Sequence, residues 1–286
     1  MLTEGQRASW QRDGYLQLAG FVPPEACAAL RARMAELLDA FDPTGLATVF
    51  STDDQRHAQD RYFLDSGGEV RFFFEAEAFD AAGRLAVGKS RAINKVGHAL
   101  HDRDPVFAAF SRRPALADLA ADLGFQEPLL LQSMYIFKQP HIGGEVTSHQ
   151  DSTFLHTEPE SCVGLWFALE DATEENGCLL AEPGGHRRPL VARFRRDGYA
   201  TRMETLDPTP LPTEGLVPLP ARTGDLILLH GRLPHRSTAN RSARSRHAYT
   251  LHLIDGVCRY SPDNWLQRPA GDPPTGFGQP ATPAAR

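Results

Sequence analysis

A mainly β sandwich or barrel with a helical flank is the fold this sequence predicts. Apolar residues recur at helical spacing in the first 125 positions, then give way after Pro128 to short runs rich in β-branched and aromatic residues. Gly, Pro and Asn separate those runs at Gly143-Gly144, Asn176-Gly177, Pro183-Gly184-Gly185 and Gly224. Short strands divided by turn signals are the pattern of packed antiparallel sheets.

Tyr15 to Leu18 reads as a short strand. Pro23 and Pro24 open a helix, because the first helical turn does not need its N–H groups. Cys27, Leu30, Met34, Leu37, Leu38 and Phe41 mark its buried face, and Asp42-Pro43 ends it. Residues 43 to 68 are polar and read as loop. Arg71 to Glu75 is an apolar strand. Asp104-Pro105 caps a helix that carries Val106, Phe107 and Phe110, and Pro114 starts another that Gly124 closes. Strands are then expected at 129–139, 163–170, 178–181, 225–230 and 249–254. Residues 186–222 lack periodicity and read as a variable insertion. The Pro/Gly/Ala-rich segment 269–286 is expected to be a disordered tail. One domain over 1–268 accounts for the rest.

The chain has 286 residues, of which 41% are hydrophobic, enough for a substantial core. Its net charge of −6 gives no basic excess for nucleic acid. No apolar run nears the roughly 20 residues of a membrane span. Cys27, Cys162, Cys178 and Cys258 are scattered without a Cys-x-x-Cys, which points away from a disulfide framework or structural zinc and toward a reduced, cytoplasmic setting. The expected partner is a small molecule, with the protein monomeric or homodimeric.

His149 and Asp151, with His235, form the ligand set of a facial-triad iron site, which leaves metal positions open for oxidative chemistry. Residues i and i+2 of a strand share a face, so His149 and Asp151 are expected to project together. His235 is expected from a neighbouring strand. The spacing is weak evidence alone: with 11 His, one His-x-Asp arises by chance about once. His156-Thr157-Glu158 is a rival pair. A 2-oxoacid bound to such iron would need a cation for its far carboxylate, and arginine offers a planar fork of donors. Arg246 and Arg244 share strand parity, so position does not choose between them.

The stretch Gln132 to His141, followed by Gly143-Gly144-Glu145-Val146 and His149-Gln150-Asp151, resembles the phytanoyl-CoA dioxygenase family. Arg71 to Glu75, Ile93-Asn94-Lys95, Glu170 to Thr173, Asn176 to Leu179 and Asn264 to Gln267 extend the likeness over about residues 5 to 267. The resemblance implies a double-stranded β-helix (a cupin-like jelly roll) with N-terminal and inserted helices packed on one sheet. It implies Fe(II) held by His149, Asp151 and His235, with 2-oxoglutarate and O2 as co-substrates. Arg246 and Ser237 fall on co-substrate positions, and Lys95, Met134 and Trp166 on positions lining that pocket. It implies hydroxylation of a small-molecule C–H bond with release of succinate and CO2. Desaturation, cyclisation, endoperoxidation and a non-catalytic metal module are the alternatives. Asp151 favours hydroxylation over halogenation, since a halide would need the carboxylate's place on the metal. Arg187, Arg188, Arg193, Arg195 and Arg196 give the insertion a basic run. Such a run could meet an anionic substrate group, although a solvated mobile loop is the simpler expectation.

Overall fold

Alternation along each strand divides the molecule into two layers. The computed structural model describes residues 2–44, 46, 48, 49 and 60–278. Seven antiparallel strands form the larger sheet. Their spatial order is Tyr15–Leu18, Leu226–His230, Val163–Ala168, Ala248–Asp255, Pro128–Ile136, Ile93–His98 and Val70–Phe74. Val217–Leu219, Leu179–Ala181, His235–Ser237 and Val146–His149 form a four-stranded sheet. Successive side chains point to opposite faces. In Val163–Ala168, Leu165 and Phe167 therefore join the helix-side core, with Leu30, Met34, Phe107 and Phe110. Trp166 and Ala168 turn inward, with Leu179, Ala181 and Leu219 of the smaller sheet. The result is the expected jelly roll, with helices Pro24–Ala40, Pro105–Ser111 and Pro114–Asp122 on one sheet.

The helix starts follow the expected chemistry. Pro24 and Pro105 occupy first turns, and the Asp104 side chain accepts from the Val106 and Phe107 N–H groups. A helix at Glu4–Asp13, opened by a Thr3–Gln6 capping box, adds to the N-terminal cap. The strand Ile93–His98, which carries Lys95, was not among the expected strands.

Three expectations need correction. Segment 43–68 is not all loop: Asp60 caps a turn at Arg61–Leu64 that buries Phe63 and Leu64, while 45, 47 and 50–59 lie outside the described residues. The insertion is structured. Ala192–Asp197 and Ala200–Thr205 pair as a hairpin, and Val217–Leu219 joins the smaller sheet. The segment from 269, read as disordered, lies on the body as far as Gly278. The Leu130 N–H donates to the Thr275 carbonyl, and Asp272 pairs with Arg268. Residues 279–286 lie outside the described residues. No helix among the described residues is long and apolar enough to cross a membrane.

Candidate active site

The smaller sheet places His149 and His235 directly opposite each other on adjacent antiparallel strands, so both rings reach the same point between the sheets. Asp151 arrives differently from the sequence expectation. The strand ends at His149, and Asp151 opens a short turn, Asp151–Thr153. Gln150 staples that turn: its side chain donates to the Pro189 and Arg232 carbonyls and accepts from the Val191 N–H. One Asp151 oxygen then lies 3.6 Å from His149 Nε2 and 3.7 Å from His235 Nε2. The three ligand atoms fall within 4.8 Å of one another. The rival Glu158 is exposed and paired with Arg259.

Both histidines are set for metal binding by the same local device. His149 Nδ1 donates to the Thr147 carbonyl at 2.8 Å, and His235 Nδ1 to the Leu233 carbonyl at 3.0 Å. Each bond fixes the tautomer that leaves Nε2 with a free lone pair. Burial would raise the Asp151 carboxyl, but His235, His252 and His149 outweigh it and hold it well below the usual carboxylate range. Burial and the neighbouring His149 push His235 down to about 4. Burial acts the same way on His149, yet Asp151 overrides it and raises that pKa. His252 was missed in the sequence. Its Nε2 sits 3.4 Å from the second Asp151 oxygen. The alternation of Ala248–Asp255 places it on the inward face with Thr250, which was the available signal. Gly164 lies beneath: a Cβ there would stand 3.0 Å from Asp151 Oδ2.

The triad opens into a cavity of about 390 Å³ between the sheets. Lys95, Met134, Trp166, Ser237 and Arg246 all line it. Arg246 is 1% exposed and stacks over Trp166, with its guanidinium carbon 5.2 Å from the ring centre. Its Nε and Nη1 have no hydrogen-bond partner among the described residues. Burial pushes it down to about 10, which leaves it charged at neutral pH. Arg244 is exposed, whereas Arg246 is buried. Lys95 is buried beside Phe73 and Phe63, and desolvation holds its pKa well below the ordinary lysine value. Lys138 and Glu75, also missed, are buried nearby. Lys138 Nζ donates to Ser237 Oγ at 2.9 Å and to the Gly144 carbonyl at 2.7 Å. Glu75 accepts from Asn94 Nδ2 and the Gly144 N–H. The chain leaves the strand at Ile136, so strand periodicity gave no sign of Lys138.

The insertion forms part of the wall. Val191, Ala192, Phe194, Met203 and Leu211 face the cavity. Its arginines do not. Arg193 and Arg195 pair with Asp263, Arg188 with Glu182, and Arg196 reaches the Leu64 and Trp265 carbonyls. Arg187 donates to the Gln11 carbonyl. These contacts tie the segment to its own body, and none of the five arginines lines the cavity. His98 lines the cavity with Nδ1 against Ser66 Oγ, whereas His101 packs against Ser133 and Asp102.

The pattern of the phytanoyl-CoA dioxygenase (PhyH) family matches residues 10–248. This chain belongs to the phytanoyl-CoA dioxygenase family. Within that family, phytanoyl-CoA dioxygenase 1 of Oryza sativa subsp. japonica is 49% identical over 268 residues, covering 93% of this chain and 94% of its own length. Phytanoyl-CoA dioxygenase domain-containing protein 1 of Mus musculus is 46% identical over 277 residues, covering 93% of this chain and 95% of its own length. Solved structures share the fold. The epimerase SnoN, in complex with Fe3+, alpha ketoglutarate and nogalamycin RO, superposes with a TM-score of 0.65 at 17% identity, covering 99% of this chain and 95% of SnoN. EctD from S. alaskensis, with 2-oxoglutarate and 5-hydroxyectoine, gives 0.61 at 22% identity, covering 91% of this chain and 78% of EctD. As a member of the phytanoyl-CoA dioxygenase family, the protein is a dioxygenase.

Proposed function

We propose that the protein is an Fe(II)- and 2-oxoglutarate-dependent dioxygenase that hydroxylates a C–H bond of a small molecule. One observation carries the reading: a buried arginine with donors that have no partner among the described residues shares a cavity with two histidines and a carboxylate poised to hold one ion. A protein that merely stored metal would have no use for that arginine. The donor set fits iron: two neutral imidazole nitrogens and one carboxylate oxygen are the ligands of non-haem Fe(II) oxygenases. Bound iron and 2-oxoglutarate would together supply the oxidant from O2, with 2-oxoglutarate leaving as succinate and CO2.

The chain's own residues have distinct tasks. His149 Nε2, His235 Nε2 and Asp151 hold the metal, and the Thr147 and Leu233 carbonyls keep both rings turned toward it. Arg246 meets the far carboxylate of 2-oxoglutarate through Nε and Nη1, and Ser237 adds a hydroxyl contact. Lys95, Met134 and Trp166 enclose the co-substrate and keep water away. On the insertion side, Phe194, Met203 and Leu211 offer an apolar wall, which suits an uncharged carbon skeleton. The test is succinate release. Protein supplied with Fe(II), 2-oxoglutarate and O2 should form succinate above a no-protein control, and Arg246→Ala should form far less. Succinate that does not depend on protein, or is insensitive to His149→Ala, would reject the proposal.

A further inference from the structure

We infer that Lys138 is a positioning residue for the co-substrate's far carboxylate, fixing both Arg246 and Ser237; this rests on the 2-oxoglutarate reading. Lys138 follows the Pro128–Ile136 strand and takes φ of 42°, a left-handed conformation uncommon for a residue with a side chain. That turn aims its carbonyl at Arg246, whose N–H donates to it at 3.3 Å, and at Asn240 Nδ2 at 2.9 Å. The same turn carries the Lys138 side chain inward, and the residue is 2% exposed. One residue thus holds the backbone of Arg246 and the hydroxyl of Ser237.

The hydroxyl contact is directional. An ammonium has donors and no acceptor, so Ser237 Oγ must accept from Lys138. The Ser237 proton is then free to point elsewhere, toward an acceptor such as a carboxylate in the cavity. Burial holds the Lys138 amine well below the ordinary lysine range and raises the Glu75 carboxyl, while Glu75, 1% exposed, favours the charged forms of both Lys138 and Arg246. A further carboxylate beside Lys138 and Arg246 would favour the charged form of both. Room for Lys138 is specific as well: a Cβ on Gly177 would stand 2.8 Å from its Cε.

The prediction is selectivity for a second carboxylate, beyond affinity in general. Equilibrium binding of 2-oxoglutarate and of 2-oxopentanoate, which has the same chain length but no far carboxylate, would be measured on Fe(II)-loaded protein without O2. Wild type should prefer 2-oxoglutarate. Lys138→Met should cut that preference about tenfold or more, the scale of a charge-assisted hydrogen bond, while 2-oxopentanoate affinity stays within about twofold. Adding Ser237→Ala to Lys138→Met should change little, since both act through one contact. Equal weakening of both 2-oxoacids would make Lys138 a structural residue and overturn the inference, as would an unchanged ratio. Should Lys138→Met melt below the assay temperature, Ser237→Ala alone must lower the same ratio, and an unchanged ratio there overturns the inference too. Wild-type protein that binds neither 2-oxoacid would instead reject the co-substrate reading, and the inference with it.

Discussion

At the metal corner, the ring nitrogens turned away from the centre are satisfied by carbonyls two residues upstream, Thr147 for His149 and Leu233 for His235. At the far wall, two nitrogens of the buried Arg246 and one buried oxygen of Glu75 have no hydrogen-bond partner among the described residues. The first arrangement fixes both rings, although Asp151 Oδ2 and His252 Nδ1 have no hydrogen-bond partner among the described residues. The second holds a buried guanidinium with donors aimed into the cavity, where an anionic group would relieve the cost of burial. The contrast separates what local backbone geometry can preorganise from what a ligand must finish.

The sharpest way to break the metal corner is Asp151→Ala. One anionic ligand is lost, and Fe(II) affinity should fall more than about a hundredfold, beyond the usual effect of a supporting contact. Near-normal metal titration would show that the carboxylate had been misassigned. At the far wall, Arg246→Ala should cost about 1.5–3 kcal/mol of 2-oxoglutarate binding, or roughly 10–150-fold in Kd, with Fe(II) binding unchanged. Arg244→Ala should leave both constants alone, and a larger effect there would reverse the assignment. Gly164→Ala probes the floor between the two regions. Its Cβ would meet Asp151 Oδ2 at 3.0 Å, so Fe(II) affinity should drop about tenfold while 2-oxoglutarate selectivity persists.

The smallest effect is on pH. Asp151 raises the His149 pKa in the metal-free fold. Protonated His149 therefore adds stability below its unfolded value of about 6.5, and that stability is lost as pH rises through the raised folded value. Fe(II) needs the neutral ring, so its affinity should strengthen over the same interval. Melting temperatures and metal titrations across that interval should move in opposite directions. His149→Gln should remove the melting-temperature trend in the metal-free protein.

How much of this was legible in the sequence follows the same divide. His149, Asp151 and His235 were visible as residue types, and a cross-strand partner was the expected source of His235. The route was only half right, since Asp151 belongs to a turn that Gln150 anchors through the insertion, a contact no period reveals. Strand parity left Arg244 and Arg246 equal, and burial separated them. Lys138 and Glu75 were invisible because their importance is purely tertiary: a left-handed residue past a strand end and a carboxylate 63 positions earlier meet only in the fold. The insertion misled for a related reason. Its basic residues look solvated in sequence, yet Arg193 and Arg195 both close on Asp263, about 70 residues away.

The most direct measurement is an anaerobic titration of metal-free protein with Fe(II) and 2-oxoglutarate, followed by the weak visible charge-transfer band of the chelate. The band should appear only when both are present and vanish in His149→Ala. In Arg246→Ala it should return at roughly 10-fold or more higher 2-oxoglutarate. Metal that binds without any such band, or an Arg246→Ala protein that titrates like wild type, would contradict the assignment of the two ends.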